Sequence, residues 1–285
     1  MIGRIKVSAV VVLYKKQMLA DSKTLASLEP YIGLLHNITI VNNGPDVLLE
    51  DESIYYKSEN VAIIEHLKNR PLSSIYNDFI RTNDCDRFII LDDDTTITNS
   101  YIFNLVFNEN KYDLGLPIIK STHDNKSYYP VCSGVNNIRN EDVEYIHKKG
   151  SYSISSGMII SSELADYLFA IFGSIFDERF SLYGVDISLF RRIDKLIDRK
   201  EILIRSGVIL EHDLSKFSNT ISDFRKKELL IDLILQNNLY GSNRIKIFLK
   251  NIMFIIKGIC FVDQGYFKQI MYSLIYKKHY RSEYK

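Results

Sequence analysis

The chain has 285 residues, 46% of them hydrophobic and 25% charged, with a formal net charge of +1. That length suits one large domain or two modest ones, and on folding it hides about three quarters of the unfolded surface. The mix excludes disorder, a collagen-like fibre and a disulfide scaffold, and the near-zero charge excludes a protein that grips nucleic acid with its whole surface.

Residues 5–14 (IKVSAVVVLY) form an apolar, β-branched run, the pattern of a buried parallel strand. Residues 21–36 read as a helix. Residues 37–41 are a second strand, stopped by the turn residues Asn42, Asn43, Gly44 and Pro45. Residues 61–65 are a third. Residues 72–81 read as a helix, with Pro71 at its start. Residues 87–91 (RFIIL) are a fourth strand, which ends abruptly in Asp92, Asp93 and Asp94. Alternation of strands and helices implies right-handed βαβ units and a parallel sheet. Ligands of such sheets bind at the carboxyl ends of the strands, where Tyr14, Asn42, Asn43 and the three aspartates would lie.

The pattern then loosens. Residues 112–150 suggest short strands mixed with loops. Helices are expected over 161–172, 185–199 and 223–239, and a strand over 201–210 that runs into Glu211, His212 and Asp213. Cys85, Cys132 and Cys260 are too few and too scattered for a zinc site or a disulfide framework, which fits a reducing compartment. Residues 1–14 lack a signal-cleavage pattern. No segment offers the roughly 20 uncharged apolar residues of a membrane span.

The net charge is a sum of unlike parts. Residues 241–285 carry nine Lys/Arg against two acids, or +7, and the preceding 240 residues carry −6. Lys246, Lys250 and Lys257 share one helical stripe, with Phe248, Ile252, Ile255 and Ile259 opposite. A basic amphipathic extension of this kind fits peripheral contact with an anionic membrane. Packing on the body or a homodimer contact is the alternative.

Three adjacent carboxylates repel one another, and a hard divalent cation with oxygen ligands relieves that repulsion. A metal-bridged nucleotide is one reading of Asp92–Asp94; a solvated turn, with Asp94 or Thr95 capping a following helix, is the other. Here the sequence resembles the metal-binding DxD motif of GT-A glycosyltransferases, particularly the inverting family 2. Val41-Asn42-Asn43-Gly44 resembles the family's nucleobase turn. Asn69-Arg70-Pro71-Leu72 with Asn77 resembles NxGLxxARN, and Ser155-Ser156-Gly157 its small-residue turn. Residues 176–186 (FDERFSLYGVD) resemble FDExFFLYGED. The match spans roughly residues 5–215. Departures are Asn42 and Asn43 for acids, Pro71, Tyr76 and Phe79 for Gly, Arg and Gly, and Val185 and Ser188 for two acids of EDxD.

The resemblance implies an α/β, Rossmann-like GT-A domain over residues 1–240, with a mixed, mainly parallel sheet flanked by helices. Residues 1–115 would be the nucleotide-sugar half, 116–240 the acceptor half, and 241–285 a helical tail. It implies Asp186 as catalytic base, since a carboxylate can take the proton of an acceptor hydroxyl as the C–O bond forms. Capping of the helix that follows, with contacts to Arg191 or Arg192, is the plain alternative. Asp177 and Glu178 are reserve candidates. Asp92, Asp94 and His212 would hold Mn²⁺ or Mg²⁺, with a structural role the alternative for His212. Tyr14, Asn43, Asn69, Asn77, Asp92 and Asp93 would contact the nucleotide-sugar, with a UDP-sugar expected. Tyr128, Tyr129, Tyr152 and Tyr183 are candidates for the acceptor side. The acceptor would be a glycan or lipid-linked glycan of bacterial capsule or lipopolysaccharide assembly. Location would be cytoplasmic, at the inner face of the membrane. Rivals are a nucleotidyltransferase, which would want a Gly-rich loop where Leu13-Tyr14-Lys15-Lys16 stands, and an inactive sugar-nucleotide-binding relative.

Overall fold

The structure, a computed structural model, describes residues 5–132, 143–213, 222–261 and 264–283. Its frame is an eight-stranded sheet in the order β3-β2-β1-β4-β9-β5-β10-β8. The strands are β1 Val7–Leu13, β2 Asn37–Asn42, β3 Val61–Glu65, β4 Arg87–Asp92, β5 Leu114–Gly115, β8 Val143–Ile146, β9 Met158–Ser161 and β10 Leu203–Ser206. A second sheet has the order β11-β6-β7, from β6 Ile118–Ser121, β7 Ser127–Tyr129 and β11 Ile209–His212.

β1 is the axis. All seven of its residues are buried, because its side chains alternate between two cores. Val10 and Val12 join one; Ala9, Val11 and Leu13 join the other. That explains the continuous apolar run. β1 pairs in parallel with β2 on one side and β4 on the other, and the register sets Leu13 beside Asn42 and Val12 beside Asp92. The chain moves outward from β1 to β3, then returns through helix α2 (Leu72–Thr82) to β4. A crevice therefore opens at the ends of β1 and β4, the switch point where α/β sheets bind ligands. β9 enters antiparallel beside β4 and makes the sheet mixed.

Several expected boundaries move. The helix expected over 21–36 is broken into a 3₁₀ turn, α1 (Lys23–Leu28) and a second 3₁₀ turn, Glu29–Leu34. Pro30 sits at the start of that second turn and has no N–H to continue the α-helix. α3 (Asn99–Phe107), capped by Thr98, and the four-residue β9 escape the sequence pattern. The strand expected over 201–210 is two strands in different sheets. α4 (Ser162–Phe172) lies where expected, and α5 (Val185–Asp194) ends before 199. Cys85 and Cys132 are free thiols.

The tail is helical: α7 (Arg244–Phe261) and α8 (Gln264–Tyr276) follow α6 (Asp223–Tyr240). Phe254, Tyr266 and Ile270 belong to the same buried cluster as β1 and α5. α7 meets α6 through Asn237, Asn238 and Asn251, whose side-chain amides bond one another at 2.8–3.1 Å. The inward side of α7 carries Asn251, Phe254 and Gly258, so α7 packs on the body through these residues, while Phe248 and Ile252 of the expected apolar stripe face outward. The Ile259 and Cys260 side chains, Asp263 and Lys285 lie outside the described residues.

The chain's end is clasped to α6 through buried Glu228. Its carboxylate accepts from Arg281 Nη2 at 2.7 Å and Tyr280 Oη at 3.2 Å, and contacts His279 Nε2 at 3.1 Å. Breaking a buried pair strands the remaining charge. Glu228→Ala should therefore lower stability by about 3 kcal/mol, read as an earlier urea midpoint with unchanged slope. A loss below about 1 kcal/mol would mean that the clasp contributes little.

Candidate active site

The aspartate turn after β4 is gripped from two sides. From α1 and its N-cap, Ser22 Oγ donates to Asp93 O at 3.0 Å. Thr24 Oγ1 donates to Asp92 O at 2.5 Å and accepts from Thr95 N at 2.9 Å. From β11, Glu211 O accepts from Thr96 N at 3.2 Å. His212, one residue further, is thereby carried to the turn. Asp92 also accepts from Ser156 Oγ in the small-residue turn before β9. Gly157 follows with φ +75° and would drive a Cβ to 2.4 Å from Leu210, so a side chain there is excluded.

Among the described residues, Asp92, Asp94 and His212 bring one ligand atom each within 4.8 Å of one another. Asp94 Oδ1 and His212 Nδ1 approach to 3.0 Å. Asp94 Oδ1 is shielded from solvent, and Thr95 Oγ1 lies 3.2 Å from the same His212 nitrogen. Adjacent ligands of an octahedral ion at about 2.1 Å lie about 3 Å apart. Two carboxylates with one imidazole are a donor set for Mn²⁺ or Mg²⁺, the imidazole inclining it to Mn²⁺. The residues therefore fit a divalent cation. Burial raises the pKa of Asp92 and of Asp93, and neighbouring carboxylates add to both shifts. Burial opposes a charge on His212, but Asp94, Asp92 and Asp213 outweigh it and raise its pKa.

Asp186 lies in the first turn of α5 on the same cleft of about 630 Å³, together with Tyr14, Asn43, Asn69, Asp92, Asp93, Asp94 and His212. Its pKa is pushed up to about 7, first by burial and then by Asp92, with Ser155 opposing. Arg191 instead pairs with Asp194, and Arg192 with Asp177 and the carbonyls of Ser174 and Ile175. The capping alternative thus lacks the arginine contacts expected of it. Gly184, the residue before α5, has φ +78°, and a Cβ on it would lie 1.9 Å from Asp232 Oδ1. Asp232, on α6, is a buried cleft residue that sequence reading missed. Burial raises its pKa to about 6. It sets a second carboxylate near Asp186 from a remote helix; no local motif marks it.

The other expected residues divide. Tyr14 N donates to Asp93 Oδ2 at 3.4 Å, and Lys16 Nζ lies 3.7 Å from the same oxygen. Asn43 lines the cleft, but its amide is engaged: Nδ2 donates to Arg70 O at 2.9 Å, and Oδ1 accepts from Arg70 N at 2.8 Å. Asn69, at φ +52°, completes that turn. Asn77 is outside the cleft lining. It accepts from Ile175 N and Phe176 N and donates to Phe176 O and Glu178 Oε1. The geometry makes it a support for the loop before α5. Asp177 is similarly tied to Arg179 and Tyr240. Tyr129, Tyr152 and Tyr183 line the cleft, whereas Tyr128 turns to Asp124 at 2.5 Å.

A carboxylate whose pKa is raised on folding binds more protons in the native state, so stability falls as pH climbs from its unfolded value, 3.8, towards about 7. Asp186→Asn removes that term. In chelator-treated protein the variant should match wild type near pH 4 and become the more stable from there upward, levelling above pH 7. The rise from 3.8 to about 7 corresponds to a gain of up to about 4 kcal/mol above pH 7, read as a rise of several degrees in Tm. A variant less stable than wild type at pH 8 would show that Asp186 is not held in an unfavourable charged state.

No protein-family model and no curated protein sequence matches the chain. Solved structures do. S. aureus TarS aligns with a TM-score of 0.50 and 12% identity over 98% of this chain and 50% of that chain. The 1–349 portion of S. aureus TarS, solved with UDP-GlcNAc, gives 0.51 and 12% over 94% of this chain and 73% of that one. GalNAc-T7, solved with UDP, GalNAc and Mn²⁺, gives 0.53 and 12% over 96% and 58%. The chain thus spans half the length of the TarS chain first compared. At such identity the likeness speaks for the fold: a mixed α/β sheet flanked by helices, shared with GT-A glycosyltransferases.

Proposed function

We propose that the chain is an inverting glycosyltransferase of the family 2 type. It moves a sugar from a nucleotide-diphosphate sugar, with a UDP-sugar as first choice, to a hydroxyl of a glycan or lipid-linked glycan. The observation that carries this reading is the meeting, in one cleft, of the Asp92–Asp94–His212 cluster with Asp186. Support comes from the neighbours solved with UDP, with UDP-GlcNAc, or with UDP and Mn²⁺. Residues 1–115 serve the donor and 116–240 the acceptor. The setting is bacterial surface-polysaccharide assembly on the cytoplasmic face of the membrane.

Asp186 in its ionised form accepts the proton of the acceptor hydroxyl. The oxygen bonds to the anomeric carbon from the face opposite the diphosphate, and the bond to the diphosphate oxygen breaks with its electron pair. One displacement inverts the configuration. Asp92, Asp94 and His212 would hold the divalent cation, which would supply positive charge to the diphosphate leaving group. Asp93 and Tyr14 shape the donor side, while Asn43 and Asn69 form the turn that walls it. Tyr129, Tyr152 and Tyr183 offer ring faces and hydroxyls to the acceptor sugar.

Asp186→Asn should cut kcat by about 10²–10⁴-fold with little change in donor KM. Wild-type kcat/KM should rise with pH along an acid limb at or below pH 7, because the base must be ionised and a bound cation offsets the repulsion from Asp92. Unchanged turnover in Asp186→Asn would remove it as the base. Asp94→Ala should weaken Mn²⁺ binding, read by calorimetry, and abolish metal-dependent turnover. Full activity after chelation would overturn the metal reading.

A further inference from the structure

Helix α7 presents an apolar face to solvent. Ile245, Phe248 and Leu249 are 71%, 63% and 58% exposed, and Ile252, Met253 and Ile256 are exposed beside them. At about 100° per residue the six fall within an arc of about 140°. Asn251, Phe254 and Gly258 occupy the inward side, so this stripe points away from the body. Lys246, Lys250 and Lys257 form a row along one border of it, all exposed. The helix contains no acidic residue.

We propose that this face docks the protein on an anionic membrane surface. The apolar stripe enters the headgroup region, and the lysine row contacts lipid phosphates. Charge decides between this occupant and a second copy of the chain: a symmetric α7–α7 contact offers the lysines no carboxylate on the facing helix, whereas anionic lipid neutralises the whole row. No described helix is long and apolar enough to cross a membrane, so the helix lies on the surface. No residue of the cleft belongs to this face, which would dock the protein whether or not the chain transfers sugar.

The full-length protein should co-sediment with phosphatidylcholine vesicles containing phosphatidylglycerol, less with phosphatidylcholine alone, and less at high salt. Phe248→Ser with Leu249→Ser should weaken binding at least about tenfold. Lys246→Gln with Lys250→Gln should weaken it by about fivefold per lysine and flatten the salt dependence. Unchanged Tm and unchanged Mn²⁺ binding establish that the variants are folded. If the serine pair fails to fold, the glutamine pair carries the test, since its side chains are exposed. Failure of wild type to bind anionic vesicles, or undiminished binding by the folded variants, overturns the proposal. So does light scattering that finds a wild-type dimer converted to a monomer by the serine pair, which would assign the face to a second copy.

Discussion

Mutual repulsion among partly buried carboxylates crowded into one cleft is the constraint on which the cleft depends. Asp92 ends β4, Asp93 and Asp94 follow it, and Asp186 and Asp232 approach from two helices. Lys16 stands near Asp93, and His212 near Asp94. Left alone, such a group would push apart or take up protons; burial first, and neighbouring carboxylates after it, raise the pKa of Asp92, Asp93 and Asp186. The fold resists by pinning the turn rather than by neutralising it. Ser22, Thr24 and Ser156 hold it, and the bridge from Thr96 to Glu211 ties it to β11. A cation is the economical remedy for what remains, and Asp94 Oδ1, shielded from solvent, faces the imidazole that would share it.

Asp186 shows which local effect wins. The first turn of a helix favours an anion by about 0.3–1 kcal/mol, less than one pKa unit. Burial and Asp92 push the other way by more, and the pKa rises to about 7. In the proposed role as base, a carboxylate with that pKa would be ionised often enough near neutrality to act, yet basic enough to take a proton. Gly184 permits the arrangement, because only a residue without Cβ lets α5 begin so close to Asp232.

α6 links the cleft to the tail. Phe224, Arg225, Leu229 and Asp232 line the cleft. Glu228 receives the chain's end, and Asn237 and Asn238 receive α7. The tail is therefore packed on the helix that walls the site, while its apolar and basic residues remain outward.

Local signals carried much of this. The β-branched run of β1, the turn residues after β2 and the three aspartates at the end of β4 were readable because they are contiguous, and strand ends in a parallel sheet share one edge. Asp186 and His212 were readable through motif and strand-end position. What composition and spacing determined was the chemistry available: a run of carboxylates at a strand end, and a +7 tail on a −6 body. Only the tertiary structure decided which groups meet. Asn77 looked like a donor residue until its amide proved filled by the loop at 175–178. Asp232 carried no signal, because its importance comes from a helix that packs beside Gly184 from 48 residues downstream. The outward side of α7 was likewise beyond sequence reading, since helical periodicity finds an apolar stripe, and packing alone determines whether the core or the solvent receives it.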